Sequence, residues 1–140
     1  MPTPPLPTKI RLEIVTPERL LLSDEVDEVT IPGSEGYLGI LPGHLPLLTM
    51  LGTGVLAYRK GTQKWSFAAS GGFAEVLPDR VIIMADSVER PEEIDVERAR
   101  VAKDRAQRQL SSKDHINVEE TMASMMRAIS RIEVAESARK

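Results

Sequence analysis

The sequence predicts an α+β chain in which an N-terminal antiparallel β-sandwich is followed by a C-terminal two-helix antiparallel hairpin. Three observations carry that prediction. All nine glycines lie at or before Gly72, all ten prolines at or before Pro91 and all five aromatic residues at or before Phe73, so the last third of the chain has a different composition. Up to about Asp86 apolar residues alternate with polar ones, the period of a half-buried strand. Beyond Pro91 they recur at steps of three and four, the period of a helix with one buried face. At 140 residues and 41% hydrophobic content the chain fits about one domain by length, with a modest core.

Residues 1–8, with four prolines among them, read as a disordered lead-in. Residues 9–87 form the sandwich. Ile10, Leu12 and Ile14 alternate with charged residues, and Val29 and Ile31 alternate again after an acidic turn at Ser23-Asp24. The segment Gly33 to Leu48 places glycines at 33, 36, 39 and 43 and prolines at 42 and 46 with apolar residues between, which predicts one specific loop. Val55-Leu56-Ala57-Tyr58 meets Trp65-Ser66-Phe67 across a Lys60-Gly61-Thr62 turn. Gly71-Gly72 and Pro78-Asp79 bracket a strand from Phe73 to Leu77, and the apolar run Val81-Ile82-Ile83-Met84 suits a strand enclosed between two sheets.

Residues 88–140 form the hairpin. Asp95 is the expected N-cap of its first helix, Ile94 is placed to staple against Ala99, and Val96, Ala99, Ala102, Ala106 and Leu110 make one stripe. That helix ends near Ser111. After a polar connection from Ser111 to His115, Asn117 and Glu120 start a second helix with Met122, Met125, Met126, Ile129 and Ile132 on one side. Alanine buries little area, and ~25 cal/mol per Å² of apolar surface cannot offset the ordering of roughly fifty residues. The hairpin therefore needs a surface to dock on.

A net charge of −3 gives no electrostatic footprint for nucleic acid or an anionic membrane. Zero cysteines exclude disulfides, thiolate chemistry and the common zinc clusters, and no segment approaches ~20 consecutive apolar residues. The two histidines, His44 and His115, lack metal-ligand spacing, no Gly-x-Ser-x-Gly elbow surrounds Ser70, and no Gly-Lys-Ser/Thr follows the spaced glycines. No catalytic residue and no metal ligand is assigned. In the hairpin, Arg98 and Arg105 lie a heptad apart, and Arg127 and Arg131 four apart, so four guanidiniums could converge on a polyphosphate. Spacing alone favours solvated helix arginines balanced by Glu97, Asp104 and Glu133. A helical wheel also sets Arg127 and Arg131 opposite the methionine stripe, pointing them outward if the hairpin packs through its stripes.

The segment from Gly33 to Leu48, with Val15-Thr16-Pro17-Glu18-Arg19 upstream and Ser70-Gly71-Gly72-Phe73-Ala74-Glu75-Val76 downstream, resembles the ε subunit family of F-type ATP synthases, called δ in mitochondria. The resemblance runs from about Lys9 to the C-terminus. It implies a noncatalytic rotor subunit whose sandwich binds the γ subunit and the c-ring, coupling proton flow to ATP synthesis. It also implies a hairpin that inhibits ATP hydrolysis, with Lys103, Arg105 and Arg108 turned to the α and β subunits of the catalytic head when extended. Glu35 matches the loop position of a c-ring contact, and His44 falls near the γ face or serves as a packing histidine. Ile94-Asp95-Val96-Glu97-Arg98-Ala99 matches the motif of ε subunits that bind ATP, and with it Glu89, Arg105, Arg127 and Arg131 become ATP contacts. No cofactor is required, ATP being a regulatory ligand. The implied place is the cytoplasmic face of the bacterial cell membrane, peripheral to it through the complex, ahead of the chloroplast thylakoid. From another class, a free-standing ATP-sensing or scaffold module stands as the alternative.

Overall fold

The computed structural model describes residues 5–112 and 114–138, so part of the lead-in and the last two residues lie outside it. The strands are β1 (Ile10–Val15), β2 (Leu20–Val26), β3 (Glu28–Gly33), β4 (Gly36–Ile40), β5 (Leu47–Met50), β6 (Thr53–Lys60), β7 (Gln63–Leu77) and β8 (Arg80–Glu89). A 3-10 turn at Pro91–Glu93 leads into α1 (Val96–Ser111) and α2 (Val118–Ser137).

Two long strands build the sandwich. The first half of β7 pairs with β6, from Lys60↔Gln63 to Thr53↔Ser70, and its second half pairs with β5, from Met50↔Phe73 to Leu47↔Val76, while β8 follows it across the join, from Ala68↔Glu89 to Leu77↔Arg80. One layer is therefore β2-β1-β8-β7-β5 and the other β8-β7-β6-β3-β4. Every ladder is antiparallel except β1 on β8, which runs parallel with Leu12 beside Val81 and Ile14 beside Ile83. The bend of β7 falls at Gly71 and Gly72, with φ of 71° and 99°. A Cβ on Gly72 would lie 2.0 Å from the Met84 carbonyl oxygen, so no other residue fits there. The glycine pair is thus a kink inside one strand and not the boundary that the sequence suggests.

Three further expectations are corrected. Ser23 and Asp24 lie within β2, where Ser23 accepts from Arg11 Nη2 and Asp24 from Lys60 Nζ; the actual turn is Thr16 to Arg19, closed by reciprocal backbone bonds of 2.9 and 3.2 Å. The segment from Gly33 to Leu48 is not one loop, because it contains β4 and the start of β5. Within Val81 to Met84 only Val81 and Ile83 are buried, and Met84 is 43% exposed, because one face of β8 alone meets the core. That core is a single cluster between the layers, with Ile10, Leu12, Ile14, Val29, Leu56 and Ile83 fully enclosed.

The hairpin lies on the outer face of β6 and β7 through α2. Ala68 of β7 meets Ile94, Val134 and Ala135, with Val55 and Val96 at the margin. Asp95 Oδ1 accepts from Arg98 N at 3.1 Å and Asn117 Oδ1 from Glu120 N at 3.1 Å, so both caps are those expected. The packing face of α2 is different. Thr121, Ala128, Ser130, Val134 and Ala135 are buried, whereas Met122 and Met126 are 44% and 49% exposed. Small residues let α2 approach α1 and the sheet together, and bulky methionines would hold both away. Ile94, expected to staple against Ala99, is taken up by the cluster on the sheet.

Candidate functional site

Where β8 ends and α1 begins, a cleft of about 340 Å³ opens beside α2. Its wall holds Glu89, Asp95, Arg98, Ala99 and Arg131, five of the eight residues expected to gather around a polyphosphate. The motif explains the arrangement residue by residue. Ile94 anchors the start of α1 on the sheet, Asp95 caps it, and Ala99, 3% exposed, admits α2 to close range. Arg98 alone is left with its side chain exposed and unpaired to any carboxylate among the described residues.

Arg131 Nε donates to Glu89 Oε1 at 2.7 Å, joining the middle of α2 to the end of β8. Arg127 is half-buried, donates to Ser124 Oγ at 3.1 Å, and lines a narrow crevice under α2 that Glu89 and Arg131 also border. The expectation that Arg127 and Arg131 point outward is therefore overturned. Because the methionines face away from the sheet, the opposite side of α2, which carries the arginines, faces toward it. Arg105 is not brought in; it is exposed and lines a separate shallow groove with Val101 and Arg108. Glu93 and Ala102 line the cleft without having been expected there, and the only signal for Ala102 was its place in the alanine stripe.

A larger cavity of about 550 Å³ lies by the C-terminal end of α2. Trp65 stacks on Tyr58 at 5.0 Å between ring centroids, and Val134, Ser137 and Ala138 form the opposite wall. Burial raises the Tyr58 phenol above its ordinary value. Arg90 Nη2 donates to the Leu21 carbonyl at 2.8 Å, while its Nε is buried with no partner among the described residues.

Glu35 stands exposed in the two-residue turn between Gly33 and Gly36. His44 is half-buried and its Nδ1 donates to the Leu45 carbonyl at 2.6 Å. On the face of the sandwich away from the hairpin, the register sets Met50, Phe73, Met84, Val15 and Leu20 in one row across five strands. Four of these are between 43% and 58% exposed, an apolar row on open surface that sequence reading missed because each residue sits among core-forming neighbours.

The family model for the ATP synthase delta/epsilon chain beta-sandwich domain matches residues 9–91, and that for the long alpha-helix domain of the same chain matches residues 92–136. An ATP synthase epsilon chain of Dehalococcoides mccartyi is 50% identical over 134 residues, covering 94% of this chain and 96% of its own. That of Desulforamulus reducens is 47% identical over 127 residues, covering 90% and 96%. Among solved structures, a chain in the Euglena gracilis mitochondrial ATP synthase assembly of OSCP, F1 and c-ring aligns with a TM-score of 0.76 at 28% identity, covering 98% of this chain and 85% of that one. A chain of the Tetrahymena thermophila mitochondrial ATP synthase central stalk and c-ring shares the fold, with a TM-score of 0.55 at 16% identity over 97% of this chain and 100% of its own.

Proposed function

The chain belongs to the ATP synthase delta/epsilon chain family, and from that premise we propose that it is a noncatalytic central-stalk subunit of an F-type, proton-translocating ATP synthase. Its sandwich docks on γ and the c-ring and turns with them, which couples proton flow to ATP synthesis. Its hairpin restrains ATP hydrolysis by leaving the sandwich and reaching the catalytic α and β subunits. ATP held in the cleft by Arg98, Arg127 and Arg131 keeps the hairpin down. The subunit sits at the cytoplasmic face of a bacterial cell membrane, peripheral to it through the complex.

The observation that carries this reading is the division of surfaces. One outer face of the sandwich is occupied by the hairpin, and the other exposes the apolar row from Met50 to Leu20, which suits a permanent partner. Glu35 at its turn tip is free to meet the c-ring, and His44, bonded to its own neighbour, supports the loop from within.

The test is co-elution with purified γ on gel filtration, followed by hydrolysis assays on the reassembled complex. The full chain and a chain cut after Arg90 are both expected to co-elute with γ, and the cut chain to give faster ATP hydrolysis. Phe73→Glu should abolish co-elution. Failure of the full chain to bind γ would favour the free-standing ATP-sensing module instead.

A further inference from the structure

The cavity of about 550 Å³ at the C-terminal end of α2 shares no lining residue with the cleft between β8 and α1. Its floor is aromatic. Tyr58 stacks on Trp65 and on Phe67, with centroids 5.0 and 6.0 Å apart and ring planes 15° and 23° from parallel. Tyr58 and Phe67 are closed into the core, but Trp65 stays 37% exposed although α2 stands across from it. Two cations line the same cavity, Arg90 and Lys64, and neither pairs with a carboxylate among the described residues. Glu92 is the one carboxylate in the wall. Of the Arg90 side-chain donors only Nη2 is bonded, to the Leu21 carbonyl, among the described residues. A flat apolar floor beside uncompensated guanidinium and ammonium groups, in a volume within the ~300–1,000 Å³ of small-molecule sites, fits one kind of ligand.

We propose that this cavity binds an organic anion with a flat apolar body, of the class of aromatic carboxylates: its ring lies against Trp65, and its carboxylate accepts from Arg90 and Lys64. The opposite wall is Val134, Ser137 and Ala138 of α2, so the bound anion touches the sandwich and the hairpin together. Only the docked chain offers both walls, and the anion therefore favours docking to the extent that it binds that form better. This last step rests on the reading of the hairpin as a detachable element; the site itself does not.

Titration calorimetry of the full chain tests the site with three probes: naphthoate, the neutral naphthylmethanol of nearly the same shape, and acetate, which has the charge without the ring. Naphthoate is expected to bind at one site, the alcohol about tenfold more weakly, and acetate without measurable heat. Arg90→Gln should weaken naphthoate about tenfold, and Lys64→Gln about two- to fivefold, since Lys64 is exposed. Arg90→Gln also gives up the bond to Leu21, so Lys64→Gln is the variant that changes charge without touching the fold. Trp65 is the only tryptophan and lines the cavity against Val134, Ser137 and Ala138, so its fluorescence reads the docking of α2 and should also change directly as naphthoate fills the space. Amide exchange along α2 should slow at saturation. Equal binding of acid and alcohol overturns the role of the two cations, and naphthoate that binds both variants unaltered, leaves Trp65 unchanged or does not bind at all overturns the site. Binding that leaves exchange along α2 unaltered overturns the link to docking. None of these outcomes bears on ATP in the separate cleft, which an ATP titration of the same chains reads independently.

Discussion

The sandwich and the hairpin are stabilised on different scales. Nineteen buried apolar residues form one cluster between the layers, whereas four join the hairpin to the sheet, two of them alanines. Each fully buried Ile or Val contributes about 1.5–3 kcal/mol, so Ile94 and Val134 together supply only a few kcal/mol toward holding α1 and α2 in place. The lesson is that one half of this chain is sealed and the other is fastened. A fastened element changes place at a cost that one ligand or one ion pair can match.

The largest expected effect divides the two regions outright. A chain ending at Arg90 keeps the Ala68↔Glu89 ladder position and the Arg90 bond to Leu21, and should melt cooperatively with the heat signature of the intact sandwich. Residues 92–140 as a separate peptide should show little helix in dilute solution, since α2 loses the sheet face formed by β6 and β7 and keeps only the alanine-rich face on α1. Circular dichroism on both pieces decides it, and a cooperatively melting tail would erase the contrast.

Single substitutions sharpen the comparison. Ile83→Ala empties a site that is 0% exposed and should cost about 2–5 kcal/mol in global unfolding. Val134→Ala, equally enclosed, should cost about 1–2 kcal/mol and only in docking. The sandwich melt should stay put while Trp65 fluorescence and faster amide exchange along α2 report release. A fall in the sandwich melt with Val134→Ala would mean that the two regions unfold as one.

Much of this division was legible in the sequence. The glycine, proline and aromatic distribution located the change of architecture, and Ile10, Leu12 and Ile14 declared a core face that the structure buries completely. The caps at Asp95 and Asn117 were equally plain, because a cap depends on residues three apart. What failed were readings that depended on distant partners. Gly71-Gly72 looks like a turn until Met84 is known to press against it, and the methionines of α2 look like a core face until two surfaces compete for the helix. The gathering of Glu89, Arg98 and Arg131 needed β8 and both helices in place. Arg105, equally well spaced in sequence, ended in a different groove.

A smaller effect concerns the ligand that would narrow the gap between the regions. Arg98→Ala and Arg127→Ala should each weaken ATP binding by about 1–3 kcal/mol, the scale of a charge-assisted hydrogen bond. Arg105→Ala, remote from the cleft, should leave it unchanged in the docked chain. Equal losses in all three variants would point to nonspecific attraction of ATP to a basic hairpin.

The smallest effect is the response of the sandwich to acid. Asp24 is held below the usual carboxylate value of 3.8 chiefly by its hydrogen bond from Lys60, and Asp27 by the Gly61 backbone N–H and then by Lys9. These contacts tie β1, β2 and the β6–β7 turn at one end of the sandwich. A carboxylate with a lowered folded value contributes stability that is fully present above its unfolded value and is lost as pH falls through the folded one. The melting temperature of the chain cut after Arg90 should therefore decline as pH drops below about 4, the unfolded carboxylate range. Both groups lie near the surface, so the decline should be shallow and salt should flatten it further. Asp24→Asn with Asp27→Asn should remove most of that slope while leaving the Trp65 report of docking at neutral pH unaltered. Were the double variant to release α2 as well, this end of the sandwich would be coupled to the hairpin through Tyr58 and Trp65, and fastening would no longer be local to the Ile94–Val134 cluster and the Glu89–Arg131 pair.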